Sequence, residues 1–275
     1  MKWLVRGDCH GNFTWLDNVN KKVYHPEDTG IILLGDAGFN FFLNKSDEKI
    51  KRLVNEYGYT IYCVRGNHEQ RPQLIPNMKC KYDYNVDGMI FIEDEYPNIR
   101  YFRDFGIYTI NNYKCAVIGG AYSVDKWYRL ARGNFTEETN IPSKSGWFND
   151  EQLTEDERFE CENKMAGRTF DFVFSHTCPI IYQPTDLFLG FVDQSKVDSS
   201  MEIWMDKLRQ NINWSIWLFG HYHADRIEAP YVEQYFNDIE DLDIIWQRWD
   251  NYSLTGELDW WLNKSPNFLM GRDSY

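Results

Sequence analysis

No run of apolar residues in this 275-residue chain approaches the roughly 20 needed to cross a bilayer, which argues against a helical membrane protein. Its first residues, Met1-Lys2-Trp3-Leu4-Val5-Arg6, are interrupted by charge too soon for a secretory signal. The expected location is therefore the cytoplasm, with no membrane contact. Cysteine is sparse: six residues, none in CxxC spacing, argue against a thiolate zinc ribbon or a disulfide framework and suggest reduced core thiols. Positive charge is also in short supply. Lys and Arg number 29 against 42 Asp and Glu, a net charge of −13, whereas nucleic-acid binders draw most of their affinity from basic surface meeting phosphates. A general nucleic-acid partner is disfavoured. Neither an internal repeat nor a low-complexity tract is present, which sets aside repeat architectures.

What the chain does have is apolar substance, 43% of its residues, and histidines in a consistent setting. Five short apolar runs are Trp3-Leu4-Val5, Ile31-Ile32-Leu33-Leu34, Ile61-Tyr62-Cys63-Val64, Phe172-Val173-Phe174 and Ile216-Trp217-Leu218-Phe219. The polar clusters behind them read RGDCHGN, GDAGFN, RGNHE, SHTCP and GHYH. Each pair reads as a buried strand opening into a ligand-bearing loop, because a strand in a layered α/β fold fixes its last residue and ligands gather at the carboxyl ends of strands.

The clusters deliver Asp8, His10, Asp36, Asn67, His176, His221 and His223. Carboxylate, imidazole and amide together suit divalent first-row metals, and the near absence of thiolates argues against a structural zinc site. Seven ligands exceed what one ion takes. Two ions about 3.5–4 Å apart, sharing one carboxylate, would use all seven and keep positions for water and substrate. Singly, a Gly-Asp pair marks a turn and a lone loop histidine is a solvated side chain. Against that stands the joint pattern, in which five of six histidines fall behind apolar runs; the sixth, His25 before Pro26, reads as structural background.

The series GDCHGN, GDAGFN, GNHE, SH and GHYH resembles the calcineurin-like metallophosphoesterase superfamily, whose motifs GDxHG, GDxx, GNH[DE], a lone His and GHxH follow in the same order. The likeness runs from residue 3 to about residue 224. It implies an α/β protein with the calcineurin-like four-layer α/β/β/α sandwich and a dinuclear metal site; candidate ligands spread from Asp8 to His223 that must share one site give, by themselves, a single domain over 1–275. It further implies that Asp8, His10 and His223 bind one metal, that Asn67, His176 and His221 bind the other, that Asp36 bridges them and that His68 is the general acid. Mn, Fe, Zn and Ni all accept this ligand mixture, with Mn the first expectation.

The activity so implied is metal-dependent hydrolysis of phosphate esters, with a phosphomonoesterase as the first reading. A hydroxide shared between the cations attacks phosphorus in line while His68 protonates the departing alkoxide. Two dications would dominate the local field, so the acidic balance does not oppose a phosphorylated small molecule or a phosphoprotein as substrate. Two other readings stay open. One is a phosphodiesterase acting on nucleotides or cyclic phosphates; the other is a non-catalytic scaffold of the same fold, which the intact ligand set argues against.

Arg65 in VRGNHE gives a partial likeness to the serine/threonine phosphoprotein phosphatases. That branch has GDxVDRG as its second motif, whereas here the stretch is Gly35-Asp36-Ala37-Gly38-Phe39-Asn40-Phe41. Phe39 and Asn40 replace the Asp that supports the catalytic His and the Arg that grips phosphate, so the chain looks instead like a small bacterial or phage-type phosphoesterase. Replacement grips are expected from Gly119 to Arg132, behind the apolar run Cys115-Ala116-Val117-Ile118 and within a substrate-facing segment near 120–150. Arg129 and Arg132 are the candidates, since guanidinium groups pair with phosphate through two parallel hydrogen bonds. Alternatively they belong to an exposed helix face and pair with local carboxylates.

Ile50, Leu53, Val54 and Tyr57, following Ser46 and closed by Gly58, have helical spacing. Ser199 and Glu202 have capping-box spacing ahead of Met201, Trp204, Met205, Leu208 and Ile212, a single helical face. Thr154 with Glu157 opens a more acidic helix, and Thr136 to Asn149 reads as loop. The tail 225–275 is expected to complete a sheet, with Ile244-Ile245-Trp246 as a strand and Trp260-Trp261 as an anchor.

Overall fold

Apolar runs too short for helices alternate with amphipathic segments along most of the chain, and that alternation builds two sheets with parallel centres. The computed structural model describes residues 1–256. Strands β1 (Lys2–Arg6), β2 (Thr29–Leu33), β3 (Thr60–Cys63), β4 (Lys79–Asp83), β5 (Gly88–Ile92) and β6 (Ile99–Phe102) make most of one sheet. The other consists of β7 (Phe105–Ile110), β8 (Tyr113–Ile118), β9 (Thr169–Ser175), β10 (Asn213–Phe219), β11 (Arg226–Ala229) and β12 (Val232–Gln234), in the order β11-β12-β10-β9-β8-β7. Strand β13 (Ile239–Asp241) then returns to the first sheet, antiparallel to β1, giving β13-β1-β2-β3-β6-β5-β4. Strands β1, β2, β3 and β6 are mutually parallel, as are β12, β10, β9 and β8.

Side chains alternate between the faces of a strand, and both faces of each sheet are covered. Val5, Ile32 and Tyr62 of the first sheet pack against Val117, Phe174 and Leu218 of the second in one core between the sheets. On the outer face of the first sheet, Leu4, Ile31, Leu33 and Ile61 meet Val54 of helix α1 (Lys45–Glu56). Two short helices, α2 (Lys126–Arg132) and α3 (Pro142–Ser145), lie in the connection beyond β8. On the outer face of the second sheet, Val173 and Trp217 pack on Cys161 and Met165 of α4 (Glu155–Met165) and on Met205 and Leu208 of α5 (Ser200–Asn211). The architecture is the four-layer α/β/β/α sandwich. All six cysteines are free, and only Cys80 is exposed. Among the described residues no helix is long and apolar enough to cross a membrane.

The local signals fared differently. Thr154 and Glu157 form the reciprocal capping box that opens α4. Helix α1 is capped one turn ahead of its apolar stripe by Asn44, whose side chain accepts from Ser46 N–H. Ser199 stands at the N-cap of α5 but makes no capping bond. Its expected partner Glu202 is drawn away by Thr177 Oγ1, 2.7 Å distant, and Asp198 accepts from Ser200 N–H instead. The Thr136 to Asn149 stretch holds one helical turn, α3, with Pro142 at its first position. Ile244-Ile245-Trp246 is not a strand. It lies in helix α6 (Leu242–Thr255), which Asp241 caps through Asp243 N–H, and Ile245 and Trp249, four residues apart, enter the core between the sheets. Trp260-Trp261 lies outside the described residues.

Candidate metal centre

Register decides where the ligand loops begin. Leu33 pairs with Arg6 on one side and Cys63 on the other, so the loops carrying Asp8, Asp36 and Asn67 leave adjacent parallel strands at the same level. In the second sheet Ser175 pairs with both Ile118 and Phe219, which aligns His176 with His221, His223 and the loop beyond β8. Four of these residues then turn back through left-handed backbone: His10 (φ 46°), Asp36 (46°), His221 (69°) and His223 (54°). Non-glycine residues hold such conformations at a cost on the order of 1 kcal/mol or more, and such strain clusters at functional sites. The loops also run close to one another. A Cβ at Gly66 would collide with Asp36 Oδ1 and the Asp36 backbone nitrogen, so this close approach requires glycine.

Two carboxylates organise the centre. Asp8 Oδ1 accepts from His221 N–H at 2.9 Å, while its buried Oδ2 has no hydrogen-bond partner and lies 3.3 Å from His223 Nε2 and 3.8 Å from His10 Nε2. The two imidazole nitrogens of His10 and His223 face each other at 3.0 Å. Asp36 Oδ1 accepts from His68 N–H at 2.8 Å, which leaves Oδ2 between His176 Nε2 (3.7 Å) and His10 Nδ1 (4.0 Å). Asp8, His10 and His223 thus offer ligand atoms within 4.8 Å of one another, and so do Asp8, Asp36 and His176. The His221 ring stands edge-on to His176, centroids 4.9 Å apart.

The second group of donors is set by hydrogen bonds from outside it. His176 Nδ1 lies 2.7 Å from the Leu34 carbonyl, which only accepts, so the ring proton sits on Nδ1 and Nε2 presents a lone pair. That Nε2 faces Asn67 Oδ1 at 2.8 Å. Asn67 Nδ2 donates to Ser123 Oγ at 2.8 Å, and Ser123 Oγ donates in turn to Glu151 Oε2 at 2.6 Å, which fixes the amide with its oxygen inward. Two acceptors aimed at each other, beside an orphaned carboxylate oxygen, form a surplus of lone pairs. A cation satisfies it, and the mixture of oxygen and nitrogen donors fits a divalent transition metal.

The electrostatics keep the two carboxylates ionised. Burial alone would raise both aspartates; the neighbouring His176 and His223 imidazoles hold Asp8 below the usual carboxylate range, and His68, His176 and His10 do the same for Asp36. Burial pushes His221 down to about 3, so it remains neutral at physiological pH. The Asp8 carboxylate beside it raises His223. Burial lowers His68, against the pull of Asp36.

The centre opens into a cavity of about 510 Å³. His10, Asp36, Asn67, His68, His221 and His223 line it, while His176 is fully buried behind them. Arg129 lines it too, already bonded to Asp125 Oδ2 (2.7 Å) and the Gly146 carbonyl (3.0 Å). Arg132 is exposed and does not line it. Arg65 is buried away from the cavity against Asp104 and the Glu151 and Gly66 carbonyls, so it serves packing of the loops. Sequence reading missed Ser123 and Glu151. Ser123 carried the same trace as the other loops, a polar residue behind an apolar run; Glu151 carried none.

A model of the calcineurin-like phosphoesterase family matches residues 1–225. Among solved structures, the phosphopantetheinyl hydrolase of Mycobacterium tuberculosis is similar at 14% identity, covering 94% of each chain, with a TM-score of 0.40. No curated protein matches the chain.

Proposed function

Since this chain belongs to the calcineurin-like phosphoesterase family, whose chemistry is the hydrolysis of phosphate esters, we propose that it is a phosphomonoesterase with a dinuclear metal centre and His68 as general acid. The observation carrying this reading is the cluster of inward acceptors on Asp8, Asn67 and His176, with His10 and His223 beside the orphaned Asp8 oxygen and His68 in the same cavity. Asp8, His10 and His223 would hold one ion, Asn67, His176 and His221 the other, with Asp36 between them. Divalent ions bound there, Mn first among them, would acidify water and neutralise charge on the phosphate oxygens.

The remaining steps fall to the chain itself. Asp36 anchors the His68 backbone, so the acid is held at a constant place relative to the ligands. Burial keeps His68 neutral without substrate, and an arriving phosphate dianion raises its proton affinity, which places a proton beside the leaving oxygen when one is needed. The His68 ring lines the cavity, and its buried Nδ1 has no hydrogen-bond partner among the described residues. Arg129, the only Lys or Arg among the described lining residues, is the candidate contact for the ester.

The test is a leaving-group comparison on Mn²⁺-loaded protein. His68→Ala is expected to keep its metal content and lose about 10²–10⁴-fold in turnover of alkyl phosphates, with a much smaller loss on activated aryl esters. Equal losses on both would remove His68 as the acid. The cavity's size gives the diesterase reading one point of support, and paired mono- and bis-aryl phosphates separate the two.

A further inference from the structure

The metal ligands occupy only one side of the cavity; apolar side chains make up much of the rest. Phe41 and Phe42, from the loop beyond Asp36, form one wall, and Leu187, Phe188, Leu189 and Val192, from the segment before α5, form another. Both walls are tied to the centre. The Phe41 ring stands edge-on to His68, centroids 6.3 Å apart at 88°. Phe188 stacks on Tyr222, centroids 6.3 Å apart at 22°, and Tyr222 sits between His221 and His223 with its hydroxyl 3.1 Å from Gln183 and 3.0 Å from Thr177. Whatever bonds to the leaving oxygen near His68 therefore emerges between these two walls.

The charges around that space narrow what it takes. Arg129 is already engaged by Asp125, and the other charged side chains lining the cavity beyond the ligands and His68 are the carboxylates Asp125, Asp198 and Glu202. With Arg129 taken up by the ester phosphate, a second anionic group on a substrate would meet Asp125 and Asp198 and find no further Lys or Arg among the described lining residues. An apolar group would instead cover Phe42 and Leu189, which are 45% and 48% exposed, with the gain that comes from removing apolar surface from water. A volume near 510 Å³ is in the range of sites for drug-sized ligands.

We propose that the substrate is a phosphate ester of a bulky apolar alcohol, its alkyl or aryl body held between Phe41 and Phe188 and bearing no second anionic group. The proposal rests on the phosphoester reading above for its phosphate end alone.

Calorimetric binding of stable phosphonates to the Mn²⁺-loaded full chain tests it without requiring turnover. 4-Phenylbutylphosphonate, larger by two methylenes and a phenyl ring, is expected to bind at least about tenfold more tightly than ethylphosphonate, the least that one or two buried methylenes would give, and 3-phosphonopropionate no more tightly than ethylphosphonate. Phe188→Ala and Leu189→Asn, both on partly exposed wall positions, are expected to bring the phenylbutyl to ethyl affinity ratio towards one. Equal affinities in the parent chain, a ratio unmoved in both variants, or tighter binding of a phosphoserine peptide analogue would each overturn the proposal. Preferential binding of the phenylbutyl compound together with no hydrolysis of any monoester would retire the phosphomonoesterase reading and leave this one standing.

Discussion

Asn67 illustrates how little of a candidate ligand's behaviour resides in the residue itself. Its amide could present nitrogen or oxygen to the centre with equal ease; Ser123 Oγ takes the nitrogen, Glu151 holds Ser123, and the oxygen is left facing His176. Outer partners of this kind typically contribute 10–100-fold to metal affinity. Ser123→Ala is therefore expected to weaken Mn²⁺ binding by about that factor with the fold intact, read by metal titration beside circular dichroism. Unchanged affinity would mean that Asn67 is oriented by another contact. Gly66→Ala is the harsher case, because the added methyl displaces the Asp36 carboxylate and backbone. A folded protein that binds no stoichiometric Mn²⁺ is the expected result, and normal binding would show that the Asp36 loop can yield.

At the scale of elements, α6 sits outside the family match, which ends at residue 225, as do β11, β12 and β13. Leu242, Ile245 and Trp249 extend the core between the sheets, and Trp249 Nε1 donates to the buried Glu233, which also holds Arg248. Trp249→Ala should lower stability by about 3–5 kcal/mol in urea unfolding, from the cavity left behind. A loss below about 1 kcal/mol would show α6 to be a loosely docked addition. The strands and the loops that converge beyond them were legible because a buried strand leaves an unbroken apolar run and the polar cluster follows within a few residues. Helix α6 was not, since Ile244-Ile245-Trp246 is too short to display a period and Ile245 gains its meaning only with Trp249 one turn on. Glu202 looked like half of a cap and became a partner of Thr177, 25 residues earlier. Ser123 reaches Asn67 across 56 residues and Glu151 across 28, distances over which sequence spacing carries no signal.

Over the whole molecule the buried acids set a pH dependence. Burial lifts Glu69 to about 8 and Glu151 and Glu202 to about 7, against 4.5 for a free glutamate. Between pH 4.5 and 7 the unfolded chain has released protons that the folded chain still holds, so the unfolded state binds fewer protons and stability falls as pH rises. Asp8 and Asp36 act oppositely and in a lower window: their folded pKa values lie below 3.8, so their stabilisation is present above that value and is lost on acidification. His221 opposes the glutamates: below pH 6.5 the unfolded imidazole takes up a proton that the folded one, held near 3, refuses, so the net slope of the metal-free protein between pH 4.5 and 6.5 is the sum of two opposite contributions. Glu202 separates this effect from the metal centre, because its side chain bonds Thr177 rather than a proposed ligand, and glutamine can accept the same hydrogen bond. In chelator-treated protein, Glu202→Gln should reduce the stability lost between pH 4.5 and 7.5 by roughly 3 kcal/mol, the equivalent of 2.5 pH units at about 1.4 kcal/mol each. Urea midpoints at the two pH values measure it. A variant with the parent's pH slope would place a charged carboxylate at Glu202 throughout, and the cavity beside it would be more anionic at neutral pH.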